Sequence, residues 1–198
     1  MYYFNKIGLP PNLVLIFYHR LPHFKDVIRS GRKITSFIHS ISILRAEWLR
    51  VNGRELVRCG VTRFATSFLT LQSIKNAKEN LRKFDWSKWV KNNPTGLEVA
   101  DTMINTCFWL RLDDLLKAFE PILKVLRIVD GDTKPSMAFL HGAFLEAKKA
   151  IQRNFEDHEA SYRPIIDILD RCWAKHYKSP LVKAAFFLNP GFYYKMER

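Results

Sequence analysis

The chain has 198 residues, of which 47% are apolar and 26% charged, with 15 Phe and 5 Trp. That length can bury a real core, and that aromatic content excludes an extended disordered chain. Its 32 Lys and Arg stand against 19 Asp and Glu, a formal charge of +13 with a sequence pI near 9.8, which favours a polyanionic partner over a cationic one.

The basic excess is uneven. Residues 1–95 hold 17 Lys or Arg against 5 Asp or Glu, a net of +12, whereas residues 96–198 hold 15 against 14. A nucleic acid is the natural partner for the first half. Cys59, Cys107 and Cys172 lie far apart, which points to reduced thiols inside a cell and away from a disulfide scaffold. The apolar run Leu13–Tyr18 is too short to span a bilayer, so neither an export signal nor a membrane partner is expected.

Residues 1–20 are apolar without a clear period and are punctuated by Pro10 and Pro11; they form an atypical first segment. From Phe24 to Arg50 an apolar stripe at helical spacing (Phe24, Val27, Ile28, Ile34, Phe37, Ile38, Ile41, Leu44, Trp48) predicts one helix, with Ser30-Gly31 as a kink and Asn52-Gly53 as its stop. His19 and His23 flank Pro22 and read as loop residues. Residues 55–63 are short, rich in β-branched side chains and broken by Gly60, the pattern of one or two short strands. Phe64, Phe68, Leu71 and Ile74 then carry a second helix to residue 84, with Lys75, Lys78, Arg82 and Lys83 crowding its later half. Asp85 to Asn93 is a short helix or turn, and Asn93-Pro94-Thr95-Gly96 is the clearest break.

Past that break the patterns predict helices over 97–108, from Leu112 to about Asp130 with Pro121 inside it, over 136–155 behind the cap candidate Ser136, over 163–177, and over Pro180–Leu188. The fold class expected is mainly α, a helical bundle with one or two strands near 55–63, organised as residues 1–20, a basic helix–strand–helix segment 21–95, and a helical region 96–198.

Catalytic chemistry is hard to place on this pattern. Divalent metal needs clustered carboxylates. The first half offers only Asp26, Glu47, Glu55, Glu79 and Asp85, dispersed. Asp113-Asp114 reads as the opening of a helix and Asp130-Gly131-Asp132 as a turn. No phosphate loop, nucleophile elbow or grouped zinc ligands occur. His141, His158 and His176 read as structural, and Trp86, Trp89, Trp109 and Trp173 as core or interface anchors. No cofactor and no metal ligand is therefore expected. Arg63-Phe64, a cation beside an aromatic ring at the head of a helix, suits a phosphate contact and a stacked base. The structural alternative is Phe64 in the core and Arg63 solvated in the first turn.

Several stretches resemble the middle of plant hAT-superfamily transposase-like proteins: Leu21-Pro22-His23-Phe24-Lys25; Glu55 to Ile74 with its Val-Thr-Arg-Phe-Ala-Thr-Ser-Phe core; Phe108-Trp109 through Asp130-Gly131-Asp132 with Pro135 following; and Ala185-Phe186-Phe187-Leu188-Asn189-Pro190. With the segments between them they cover roughly residues 21–195. The resemblance implies an RNase H-like core interrupted by a helical insertion, three acids that hold metal and cut DNA, a BED zinc finger before the core and a dimerisation segment after it. Thr62-Arg63-Phe64 matches the family's Thr-Arg-aromatic motif, which lies near the cleaved DNA, and the resemblance gives Arg63 and Phe64 that role. The zinc-finger ligands, both upstream aspartates, the Cys-x-x-His before residue 21 and the third acid have no counterpart in this sequence, which implies a truncated relative without cutting activity. The expectation is a nuclear protein that is not an enzyme and binds DNA non-specifically through Arg58, Arg63, Phe64, Lys75, Lys78 and Arg82. Two alternatives stand beside it: a non-functional transposon relic, and an interaction module whose near-neutral helices after residue 96 pair with a second copy or an intact transposase-like protein.

Overall fold

The structure, a computed structural model, describes residues 21–58, 64–91, 93–130, 136–176 and 180–189. Among them run ten helices: α1 (Pro22–Ser40), α2 (Ser42–Asn52), α3 (Phe64–Asn76), α4 (Lys78–Lys83), α5 (Ser87–Val90), α6 (Pro94–Ile104), α7 (Thr106–Asp130), α8 (Ser136–Asn154), α9 (Glu159–His176) and α10 (Pro180–Phe187). They group into two compact units, Leu21–Leu116 and the residues from Lys117 onward, with the change falling inside α7.

The mainly α expectation holds, and the strand expectation is corrected. Residues 55–58 carry no regular secondary structure, and 59–63 lie outside the described residues. The reason is where the backbone groups go. The Val57 amide donates to Ser73 Oγ at 3.1 Å, and the Leu56 carbonyl meets His39 Nε2 at 3.0 Å. Side chains of α3 and α1 take up groups that a neighbouring strand would otherwise pair.

The first unit is built around α1. Pro22 sits in its first turn, where a missing amide costs nothing, and this places His23 in a helix and not in a loop. Phe24, Val27, Ile28, Gly31, Ile34 and Ile38 are buried on one side. That face packs on α2, α3 and α6. The helix expected through Arg50 is two, because Ile41 is extended (φ −114°). Ser30-Gly31 does not interrupt the helix. Gly31 lies in continuous helix, where a Cβ would come 2.5 Å from Leu71 Cδ2, so the missing side chain lets α1 and α3 approach. α2 ends at Gly53, whose left-handed φ of +70° lets its amide reach the Leu49 carbonyl.

Two asparagines set the later boundaries. Asn93 Oδ1 accepts from the amides of Thr95 and Gly96 at 3.1 and 3.2 Å, and Pro94 occupies the first turn of α6. Asn105 closes α6 through its amide and opens α7 with Oδ1, which accepts from Cys107 and Phe108. α7 therefore starts at Thr106, and Asp113-Asp114 lies inside it and not at its opening. Asn93→Ala should destabilise the first unit by about 1 kcal/mol, the usual worth of a cap; urea denaturation measures it, and an unchanged midpoint would count against the capping role.

In the second unit Pro121 interrupts the hydrogen bonding of α7, because it lacks the amide that would reach Lys117. Asn154 Nδ2, at the end of α8, donates to that Lys117 carbonyl at 2.8 Å and fills the gap. α8 packs against α9 and α10. Phe144 stacks on Trp173 at 4.3 Å, His141 lies against Trp173 and Phe186, and Lys148 bridges to Asp170 at 2.8 Å. No helix of the described residues is long and apolar enough to cross a membrane.

Candidate nucleic-acid interface

The six residues that the sequence nominated for DNA contact take different positions. Arg63 lies outside the described residues. Phe64 opens α3, and its side chain is not among those described. Arg58 is exposed beyond the pinned Leu56–Val57 pair, and Arg82 is exposed on α4. Neither makes an ion pair among the described residues.

Lys75 and Lys78 are used within the unit. Lys75 Nζ sits 2.7 Å from Asp113 Oδ1, and the Lys78 ammonium lies over the Trp109 ring, 5.4 Å from its centroid. Asp113 and Trp109 are one turn apart on α7, and Trp109 is itself buried with its indole donating to the Met103 carbonyl at 2.9 Å. The two lysines thus tie the α3–α4 junction to α7. Both cations keep favourable partners, and releasing them to a phosphate would cost those contacts.

Other cations are better placed. Arg29, Arg50, Arg54 and Lys91 are exposed and make no ion pair among the described residues. Arg32 is exposed and donates from Nη2 to Ser67 Oγ at 3.4 Å, at the head of α3. Lys33 pairs with Glu98 on α6, Arg45 with Glu55 (2.8 Å from Nε), and Lys88 with Glu47. Arg29 and Arg32, which the sequence reading did not nominate, occupy the polar face complementary to the stripe of α1. His23 adds little charge. Partial burial first and the Arg111 guanidinium second hold its imidazole below the usual range, against the opposite pull of Asp114 and Asp26, so it is neutral at neutral pH.

An open cleft of about 340 Å³ is lined by Lys33, Ser36, Phe37, Ser40, Ile41, Asn93 and Thr95. Its strongest polar groups are already engaged, Lys33 with Glu98 and Asn93 Oδ1 with two amides. Among the described residues no three His, Cys, Asp or Glu side chains come together to hold a metal ion. Three of the five acids of the first half, Glu47, Glu55 and Glu79, each face a basic neighbour instead. The Asp85 carboxyl is held below its usual range by the Ser87 hydroxyl and amide. The described surface of residues 21–91 thus carries exposed cations beside few acids.

Comparison with protein-family models, curated proteins and solved structures finds no match to this chain.

Proposed function

We propose that this chain is a helical segment of an hAT transposase-like protein, acting in the nucleus and binding DNA non-specifically through the basic surface of residues 21–95 without cutting it. One observation carries the reading. Arg29, Arg50, Arg54, Arg58, Arg82 and Lys91 stand exposed with no carboxylate partner among the described residues, while the acids of the same stretch are few and largely paired. Unpaired cations at a surface are free to exchange their counterions for phosphates, the main source of sequence-independent affinity. The helical content after Pro94 agrees with the insertion that the resemblance implies. The RNase H-like core and the Arg63-Phe64 stacking role rest on the resemblance alone.

The test is binding of the purified chain to unrelated duplexes of equal length and ionic strength. Dissociation constants within about threefold of one another are expected, with no strand scission in magnesium. A preference of a hundredfold for one sequence, or chelator-sensitive cleavage abolished by replacing one of the chain's own acids, would contradict the proposal.

The interaction-module reading is favoured by one observation. Leu97 and Ile104, two turns apart on α6, are 48% and 69% exposed. Light scattering across concentration separates it, since a mass that grows with concentration supports pairing.

A further inference from the structure

We infer that one flank of α1, carried on by the segment after Asn52, is the strip that follows the DNA backbone, and that Lys75 and Lys78 lie outside it; the inference rests on the DNA-binding reading above. Positions 25, 29, 32, 36 and 39 of a helix fall along one flank. Here they are Lys25, Arg29, Arg32, Ser36 and His39. Three contacts fix where that flank faces. Arg32 reaches Ser67 at the head of α3. Lys33, one residue round the helix, turns the other way to Glu98 on α6. His39 holds the Leu56 carbonyl at 3.0 Å, which brings the segment carrying the exposed Arg58, two residues on, to that end of the flank.

The strip suits a duplex. Lys25 to Arg32 spans roughly 10 Å at the helical rise. Each strand of duplex DNA carries one charge per about 3.4 Å of axis, so about three phosphates of one strand pass along that length. Arg29, Arg32 and Arg58 offer planar guanidinium forks that match phosphate oxygens. Asp26, the only acid in α1, makes no ion pair among the described residues. Arg29 and Arg32 outnumber it on the helix. Lys75 and Lys78 are already held by Asp113 and Trp109.

The test is fluorescence anisotropy of the full chain on a short labelled duplex, comparing the parent, Arg29→Gln/Arg32→Gln/Arg58→Gln, and Lys75→Gln/Lys78→Gln. The triple variant should bind at least about tenfold more weakly at low salt, and its slope of log K against log salt should be shallower by about 2 to 3. The lysine pair should bind within about twofold of the parent. Thermal melts check folding, and if the triple variant does not fold, Arg29→Gln/Arg58→Gln, which leaves the Arg32–Ser67 bond in place, is read in the same way. Salt-dependent binding by the parent with no loss in the arginine variant would overturn the strip alone. A parent that binds no DNA would overturn the DNA reading, and the strip with it. A tenfold preference for RNA of the same length would overturn the assignment to DNA.

Discussion

Gly96→Ala is expected to destabilise the Leu21–Leu116 unit by about 3 kcal/mol, the upper end of ordinary overpacking, and to lower its melting temperature by roughly 10 °C or more. Two effects oppose each other at this position. Alanine in a helix is worth about 1 kcal/mol over glycine. Against that, a Cβ on Gly96 would lie 2.2 Å from the Trp89 carbonyl oxygen, 3.0 Å from its carbon and 3.1 Å from the Phe37 ring. The oxygen belongs to backbone and cannot rotate aside, so sterics win. Gly31→Ala is the control. There the near atom is the tip of the Leu71 side chain, which can move, and the cost should be smaller, about 1 kcal/mol. Thermal unfolding followed by circular dichroism measures both, and a Gly96→Ala variant as stable as the parent would show that α5 and α6 do not meet through that carbonyl.

Trp48→Ala should cost about 3 to 5 kcal/mol, as expected for loss of a fully buried aromatic. Trp48 is 1% exposed and meets Phe84 edge-on at 5.9 Å, joining α2 to the turn after α4. Its Nε1 is buried and has no acceptor among the described residues. Trp48→Phe should therefore cost under about 1.5 kcal/mol, because it keeps most of the packing and removes an unpaired donor. Urea midpoints separate the two outcomes. A phenylalanine variant as damaged as the alanine variant would mean that the indole nitrogen has a partner that matters. The Trp48 contact also bears on the surface: it anchors α2, from which the chain runs through Arg54 to Arg58.

The helices were readable because their apolar residues keep a 3.6 period, and α8, with Leu140, Ala147 and Ile151 buried, departs from its expected end by one residue. What the period does not carry is how helices stop. One stripe runs through Ile41, yet an extended backbone there divides it. Asn105 ends one helix and caps the next, a local hydrogen-bond choice that apolar spacing does not report. The segment at 55–58 has strand-like composition, but its pairing groups are taken by His39 and Ser73, which are distant in sequence. The candidate surface was partly readable. Charge imbalance singled out the half of the chain that holds the exposed Arg58 and Arg82. It could not separate a cation facing water from one already spent on Asp113 or Trp109, because that depends on which helix face meets α7.

In the proposed reading, exposed arginines without carboxylate partners give this chain an affinity for DNA. The most direct measurement is the equilibrium constant for a duplex of arbitrary sequence across a series of monovalent salt concentrations. A linear fall of log K with log salt is expected, with a slope of about −3 or steeper. A slope near zero, or no binding at the lowest salt, would contradict it.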